Sequence, residues 1–403
     1  MIFPGRTWGH TKYCYNILEM NLTKTAVMFK RWTKIAFLVL GLYYGWMFFG
    51  GPGVRSLIKL FYVTKEPANP IYGNLDPLEF TNKEVTGDQI YKLNTANGRL
   101  PGKIPYKMDV YKFKPRAFSY LAGDTAIKDA RTMGYGEEDL ITDLKGTVYR
   151  WRKTDTNSFL EIDINSKRFY ADSDMVKNSA RMQKGRLNEE YAKGSALTFF
   201  TKLDRIDNLY EEGVQKVTYG YIGGTRLFET TAARDTVFAR VDLYRKKGDF
   251  IIFGTDPKVG LLNVFVAVPK DEKDFVINYP KAGAYYKEIE EKTQASYPII
   301  DISTAWDAVK NGKGVITSVT PTGTSIFDKQ TTPIVSEILV DNIYLAYYEN
   351  TKDQTYLQPI YVFEAKYKSL GSQGGEMVVY LPAVSGEYVK PIPASASAPP
   401  AAQ

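Results

Sequence analysis

Apolar positions in this chain change their spacing as the sequence proceeds. From Ile35 to Val54 no charge interrupts them (IAFLVLGLYYGWMFFGGPGV), and the run is bounded by Lys34 and Arg55. As a helix rising ~1.5 Å per residue, about 20 such residues reach ~30 Å, the apolar thickness of a bilayer. A core helix would carry a polar stripe, which this run lacks. The aromatic stretch Tyr43–Phe49 also leaves no small-residue cleavage site for a signal peptide. The pattern therefore predicts a retained single membrane anchor. Its membrane residues are Ile35, Phe37, Leu38, Val39, Leu40, Leu42, Trp46, Phe48 and Phe49.

Beyond residue 55 two other spacings take over. Asp109–Phe113, Thr147–Lys153 and Ser158–Asn165 read as strands, and in the last of these Leu160, Ile162 and Ile164 alternate with Glu161 and Asp163. Val214–Ile222, Thr236–Arg245, Phe250–Gly254 and Leu261–Pro269 read the same way, with Gly223-Gly224 and Lys247-Gly248-Asp249 as hairpin turns. In Thr236–Arg245, Val237, Ala239, Val241 and Leu243 face one way and Arg240 and Asp242 the other. Helical spacing marks three segments. Ser195–Glu212 is amphipathic. GDTAIKDARTMGYG (123–136) is capped by Asp124 or Thr125 and stopped by Gly134. DISTAWDAVKNGKG (301–314) is capped through Thr304–Asp307 and stopped by Gly312.

Each of the last two helices is followed by two strands: Thr147–Lys153 and Ser158–Asn165 in the first copy, Glu337–Glu349 and Tyr356–Tyr367 in the second. Pro359 within the final strand points to an edge or a bulge. The fold class expected is α+β: one transmembrane helix, then a mostly antiparallel extracytoplasmic domain of helix-plus-hairpin units. The expected divisions are a cytoplasmic segment (1–34), the transmembrane helix (35–54), a juxtamembrane entry (55–115), a first α+β region (116–300), a C-terminal unit (301–385) and a disordered Pro/Ala/Ser tail (386–403).

Charge sets the orientation. Lys24, Lys30, Arg31 and Lys34 precede the run, and Lys30, Arg31 and Lys34 set a cytoplasmic N-terminus with the bulk of the chain outside. Met20 and Met28 are alternative starts. Residues 1–55 hold seven basic residues and one acidic one. The remaining 348 hold 45 basic and 44 acidic, so the excess that gives a pI of 9.0 belongs to the anchor. That distribution argues against nucleic-acid binding. The local patches Arg150-Trp151-Arg152-Lys153 and Arg245-Lys246-Lys247 read as a strand end and a hairpin turn.

The single His (His10) and single Cys (Cys14) both precede the anchor. The outer region can form no disulfide, no His or Cys metal site and no Ser-His-Asp or Cys-His machinery. No metal or cofactor is expected. Carboxylate chemistry stays open in principle, with Asp163, Asp172, Asp174, Glu229, Asp235 and Asp242 as candidates for a glycosidase pair.

The helix Ser303–Asn311 with the strands Ile343–Glu349 (IYLAYYE) and Gln358–Ala365 (QPIYVFEA) resembles the PepSY-type module and the C-terminal part of the YycH/YycI-like regulators of the bacterial envelope. The resemblance implies a membrane-anchored, non-catalytic outer domain acting through protein contacts. Tyr344, Tyr347, Tyr348, Tyr361 and Phe363 are good strand formers that pack across strands or, in the other reading, present an aromatic edge to a partner. The function expected is a membrane-anchored extracytoplasmic binding or regulatory protein with a protein partner in the envelope and no catalytic activity. The alternatives are a carboxylate-dependent polysaccharide hydrolase and a passive scaffold.

Overall fold

The computed structural model describes residues 11–49, 66–115, 119–141, 146–271, 273–285, 287–328, 332–369 and 372–391. The chain forms two compact units, Met1–Pro67 and Ala68–Gln403.

Among the described residues the first unit contains one helix, α1 (Thr11–Phe49). Among the described residues no helix is long and apolar enough to cross a membrane, and this corrects the expected transmembrane helix. The physical reason lies in where the helix runs. Its described part takes in Lys24, Lys30, Arg31 and Lys34 and runs to Phe49, so among the described residues only the turns after Lys34 are free of charge. At ~1.5 Å per residue those described turns cover about 22 Å, against the ~30 Å of a bilayer core. Gly50–Val54 of the predicted run lie outside the described residues.

In place of the expected α+β class the structure is mostly β, 39% strand and 23% helix, with two sheets. The second unit opens with β1 (Ile90–Leu93) and β2 (Lys107–Phe113). Helix α2 (Ala122–Thr132) precedes a meander of β3 (Val148–Lys153), β4 (Ser158–Asp163) and β5 (Arg168–Ser173). Helices α3 (Glu189–Lys202) and α4 (Asn208–Glu211) lead to β6 (Val214–Gly223), β7 (Arg226–Glu229), β8 (Phe238–Tyr244), β9 (Lys246–Lys247), β10 (Phe250–Phe253) and β11 (Leu262–Ala267). Then follow α5 (Phe275–Asn278), β12 (Lys281–Ala284), β13 (Ile289–Pro298), α6 (Ile302–Lys310), β14 (Val315–Pro321), β15 (Val335–Tyr348), β16 (Tyr356–Ser369) and β17 (Ser372–Pro382).

Two sheets result. The eight-stranded sheet is antiparallel throughout, in the order β3-β4-β5-β12-β11-β8-β6-β7. The nine-stranded sheet runs β13-β2-β16-β15-β10-β9, with β1 parallel to β15 and β17 joining β16 to β14. The chain crosses between sheets at β2–β3, at β8–β9, at β10–β11 and at β12–β13.

Each sheet buries one face under helices. Ala126 and Ala130 of α2 and Ala192, Ala196, Phe199 and Phe200 of α3 pack on the eight-stranded sheet. Ala305 and Val309 of α6 pack on the nine-stranded one. These residues sit at i, i+3 and i+4, so one stripe of each helix is covered. Gly134 (φ +84°) and Gly312 (φ +72°) stand just past α2 and α6, in the left-handed conformation that ends a helix.

The helix-plus-hairpin units are corrected too. Helix α2 leads into three strands, and after α6 the strand β14 intervenes before the β15–β16 hairpin. The predicted helix Ser195–Glu212 is broken after Lys202, where Asp204 takes a positive φ and Arg205 turns inward. Pro359 lies in a central strand, yet its missing donor costs no ladder bond. Its carbonyl accepts from Ala383 N, so its nitrogen faces the side where the neighbour of β16 changes from β2 to β17.

Candidate functional site

Register places side chains across the eight-stranded sheet in two rows on the face opposite α2 and α3. One row reads Arg150, Glu161, Tyr170, Gly283, Asn263, Asp242 and Lys216. The next reads Arg152, Phe159, Asp172, Lys281, Phe265, Arg240 and Thr218. Directly opposed residues share a face, so this register is the map of the surface.

One half of that face is covered. Phe327 packs on Phe238 and Phe265, with ring centroids 5.2 and 5.7 Å apart. Asp328 pairs with Arg226, and Ile326 N donates to Glu229. Arg240 and Asp242 therefore lie buried beneath this segment, 2.7 Å from each other, and Gly260 N donates to Asp242 at 2.8 Å. Arg240 and Asp242 do share the face opposite Ala239, Val241 and Leu243, but β8 is buried on both faces.

The other half is open. Above β3, β4, β5 and β12 is a cleft of about 610 Å³. The sheet curls enough for Thr225 and Leu227, from the β6–β7 hairpin at its far end, to form one wall together with Met175 and Val176. The floor is a set of matched charges. Arg150 Nε donates to Glu161 at 2.7 Å, and Lys281 Nζ sits 2.8 Å from Asp172. Tyr170 OH donates to the other Asp172 oxygen at 3.1 Å. Asp174 accepts from Lys177 N and from Asn157 Nδ2, and these bonds hold it below the ordinary carboxylate range. Burial, with the Asp172 charge beside it, pushes the Tyr170 phenol up to about 12. Arg152 is exposed and makes no ion pair among the described residues. Phe159 lines the cleft and is 39% exposed; Tyr170, 44% exposed, does not line it but stands beside it on the same face of the sheet, its ring centroid 5.7 Å from that of Phe159.

The six carboxylates singled out from sequence do not converge. Asp172 and Asp174 share the cleft. Asp163 accepts from Ser166, Glu229 is held by Ile326, Asp235 pairs with Lys184 and Asp242 lies under the covered half. Among the described carboxylates, the proton affinity is raised at Asp129, Asp242 and Glu349. Burial is the main cause in each, and each stands on an arginine outside the cleft.

The aromatic candidates of the β15–β16 hairpin are core residues, which corrects their reading as a partner edge. Tyr347, Tyr348, Tyr361 and Phe363 are 2% exposed or less. Their hydroxyls are spent internally: Tyr347 on the Asp109 carbonyl, Tyr348 on that of Glu79 and Tyr361 on that of Ile300. Tyr344, partly buried, donates to Glu364 at 2.7 Å. The anchor residues Ile35, Phe37, Leu38, Val39, Leu40 and Leu42 are exposed on α1, as are Lys30, Arg31 and Lys34, while Trp46, Phe48 and Phe49 belong to its last turn. Arg245, read as part of a solvated turn, is buried.

Phe159, Glu161, Tyr170 and Lys281 have no place among the sequence candidates. One signal was available: Phe159 holds an outward position of β4, one period before Glu161, where an aromatic has no core to fill.

No family model matches the chain, and no curated protein does. Seven solved chains match it. One is an uncharacterized protein from Eubacterium rectale, 12% identical, aligned over 70% of this chain and 85% of the other with a TM-score of 0.40, a likeness too distant to carry an argument.

Proposed function

We propose that this chain is a binding protein that works without chemistry and takes its ligand into the cleft above β3, β4, β5 and β12. The observation that carries the reading is the state of the charges there. Arg150 is matched by Glu161 and Lys281 by Asp172. Groups so matched can hydrogen-bond a ligand. A general acid at neutral pH needs a raised carboxylate pKa, whereas Asp174 is lowered.

The test is affinity capture with the full chain, an Arg152→Glu/Phe159→Ala variant, and a Lys92→Ala control on the other sheet. A ligand held by the wild type and the control but lost from the cleft variant supports the reading. A ligand held equally by all three overturns it.

A further inference from the structure

We infer that the ligand of this cleft is a neutral carbohydrate chain, an inference that rests on the cleft being the binding site. Three observations converge on it. The first is the exposed aromatic pair. Phe159 and Tyr170 lie on adjacent strands with centroids 5.7 Å apart and 54° between their planes, and no side chain stacks above them among the described ring contacts. The face of an aromatic ring is electron-rich, and the ring C–H groups of a pyranose are its complement.

The second is the mixture of donors and acceptors around the rings. Asp172 takes Lys281 on one oxygen and Tyr170 on the other, and each oxygen keeps a lone pair. Arg150 uses Nε on Glu161 and keeps further N–H donors. A sugar hydroxyl donates and accepts at once, so it can bridge such a pair without breaking it. The Tyr170 phenol, pushed up to about 12, stays neutral at physiological pH, its O–H given to Asp172 and its oxygen left to accept.

The third is the charge balance. Arg150, Arg152 and Lys281 face Glu161, Asp172 and Asp174, so the cleft has no net charge. An anionic polymer would meet three carboxylates, and a nucleic acid needs a cationic groove. An apolar peptide anchor would need an apolar pocket, whereas Leu227 and Met175 supply one wall alone. The volume, about 610 Å³, is that of an ordinary small-ligand cleft.

The experiment is titration calorimetry of the full chain against neutral oligosaccharides, namely maltoheptaose, cellohexaose and a chitin hexamer, backed by an array of neutral glycans. The expected result is saturable binding to at least one of them. Tyr170→Ala and Phe159→Ala should each weaken it by about tenfold, a loss of about 1.4 kcal/mol, while Lys92→Ala leaves it unchanged. Both rings are exposed, so the unfolding midpoint should hold. Tyr170→Phe, which keeps the ring, should retain most of the affinity. Absence of binding across the array overturns the inference, as does binding indifferent to both ring truncations. If the glycans fail while a captured ligand still depends on Arg152 and Phe159, the carbohydrate assignment falls and the cleft reading stands. If capture itself ignores the cleft, both fall.

Discussion

Arg245 and Glu349 are joined side chain to side chain at the crossing between the two sheets, and their side chains are 1% and 0% exposed. Arg245 stands between β8 and β9, and Glu349 follows β15. The same guanidinium donates to the Lys287 carbonyl at 2.9 Å, on the β12–β13 crossing, and lies 3.5 Å from Asp207, the N-cap of α4. One buried cation thus ties two inter-sheet crossings to the end of the longest hairpin. Burial opposes the Arg245 charge, and Glu349, Tyr210 and Asp207 around it more than offset that, so its pKa is raised. Removing one partner strands the other without solvent. Glu349→Ala should cost about 3–5 kcal/mol in urea unfolding. Arg245 Nε and Glu349 Oε1 find no protein partner, so the pair is not fully satisfied. The double variant Arg245→Met/Glu349→Leu should therefore recover a large part of the loss. A double variant as unstable as the single one would show that the two side chains are not coupled.

Phe363 is fully buried, with its ring 6.4 Å from that of Trp306 on α6. Phe363→Ala should cost about 3–5 kcal/mol, the range for an emptied aromatic site. Its effect on ligand capture should vanish wherever the variant is still folded. Calorimetric unfolding and binding measured on the same sample decide this. Lost capture in a variant of unchanged midpoint would return the hairpin to the surface.

What could be read from the chain was local. Strands whose alternation is unambiguous, such as Ser158–Asp163 and Phe238–Tyr244, were placed to within two or three residues, because period-two spacing needs no knowledge of neighbours. Residues 168–173 (RFYADS) and 315–321 (VITSVTP) were not read as strands. In the first, polar and aromatic residues share the outward face. The second carries Thr317, Ser318 and Thr320 among its apolar residues. The larger failures came from tertiary cover. Alternation assigns Arg240 and Asp242 to one face, and nothing in the strand itself reports that residues 325–328 lie over it. The cleft was illegible for the same reason, since its floor comes from four strands and part of its wall from the β6–β7 hairpin more than 40 residues away. Asp172 and Asp174 were named only as members of a larger set of acids.

The helix caps make a pair of contrasting predictions. Asn188 accepts from Tyr191 N at 2.7 Å at the start of α3, and Asn188→Ala should cost about 1 kcal/mol at any pH. Asp301 caps α6 and accepts from the backbone N–H groups and hydroxyls of Ser303 and Thr304. Those bonds, the hydroxyl of Ser303 first, lower its pKa. A depressed folded-state pKa means stability present above the unfolded value of ~3.9 and lost as pH falls through the folded one. Asp301→Ala should therefore lower the unfolding midpoint at neutral pH, and the difference from wild type should shrink in strong acid. A difference that persists unchanged below the carboxylate range would mean that Asp301 acts through packing and not as a charged cap.

Alkaline pH tests the tyrosines of the core. Burial raises Tyr91 and Tyr135 to about 12 and lifts Tyr344, Tyr347, Tyr348 and Tyr361 further. An unfolded tyrosine ionises near ~10. A group whose folded pKa is raised contributes stability that is whole below the unfolded value and is lost as pH climbs through the folded one. Between those limits the unfolded chain sheds phenolic protons that the folded chain keeps, so stability falls steadily above pH ~10. Phenolate absorbance should accordingly rise in two stages. Rings in solvent titrate first, and the buried set follows together with the loss of structure by circular dichroism. Tyr361→Phe removes the proton that binds the Ile300 carbonyl. It should lower stability at neutral pH by about 1 kcal/mol and reduce the alkaline loss by the share of one tyrosine. A single smooth phenolate titration with the circular dichroism intact would place these rings in solvent and overturn the core they define.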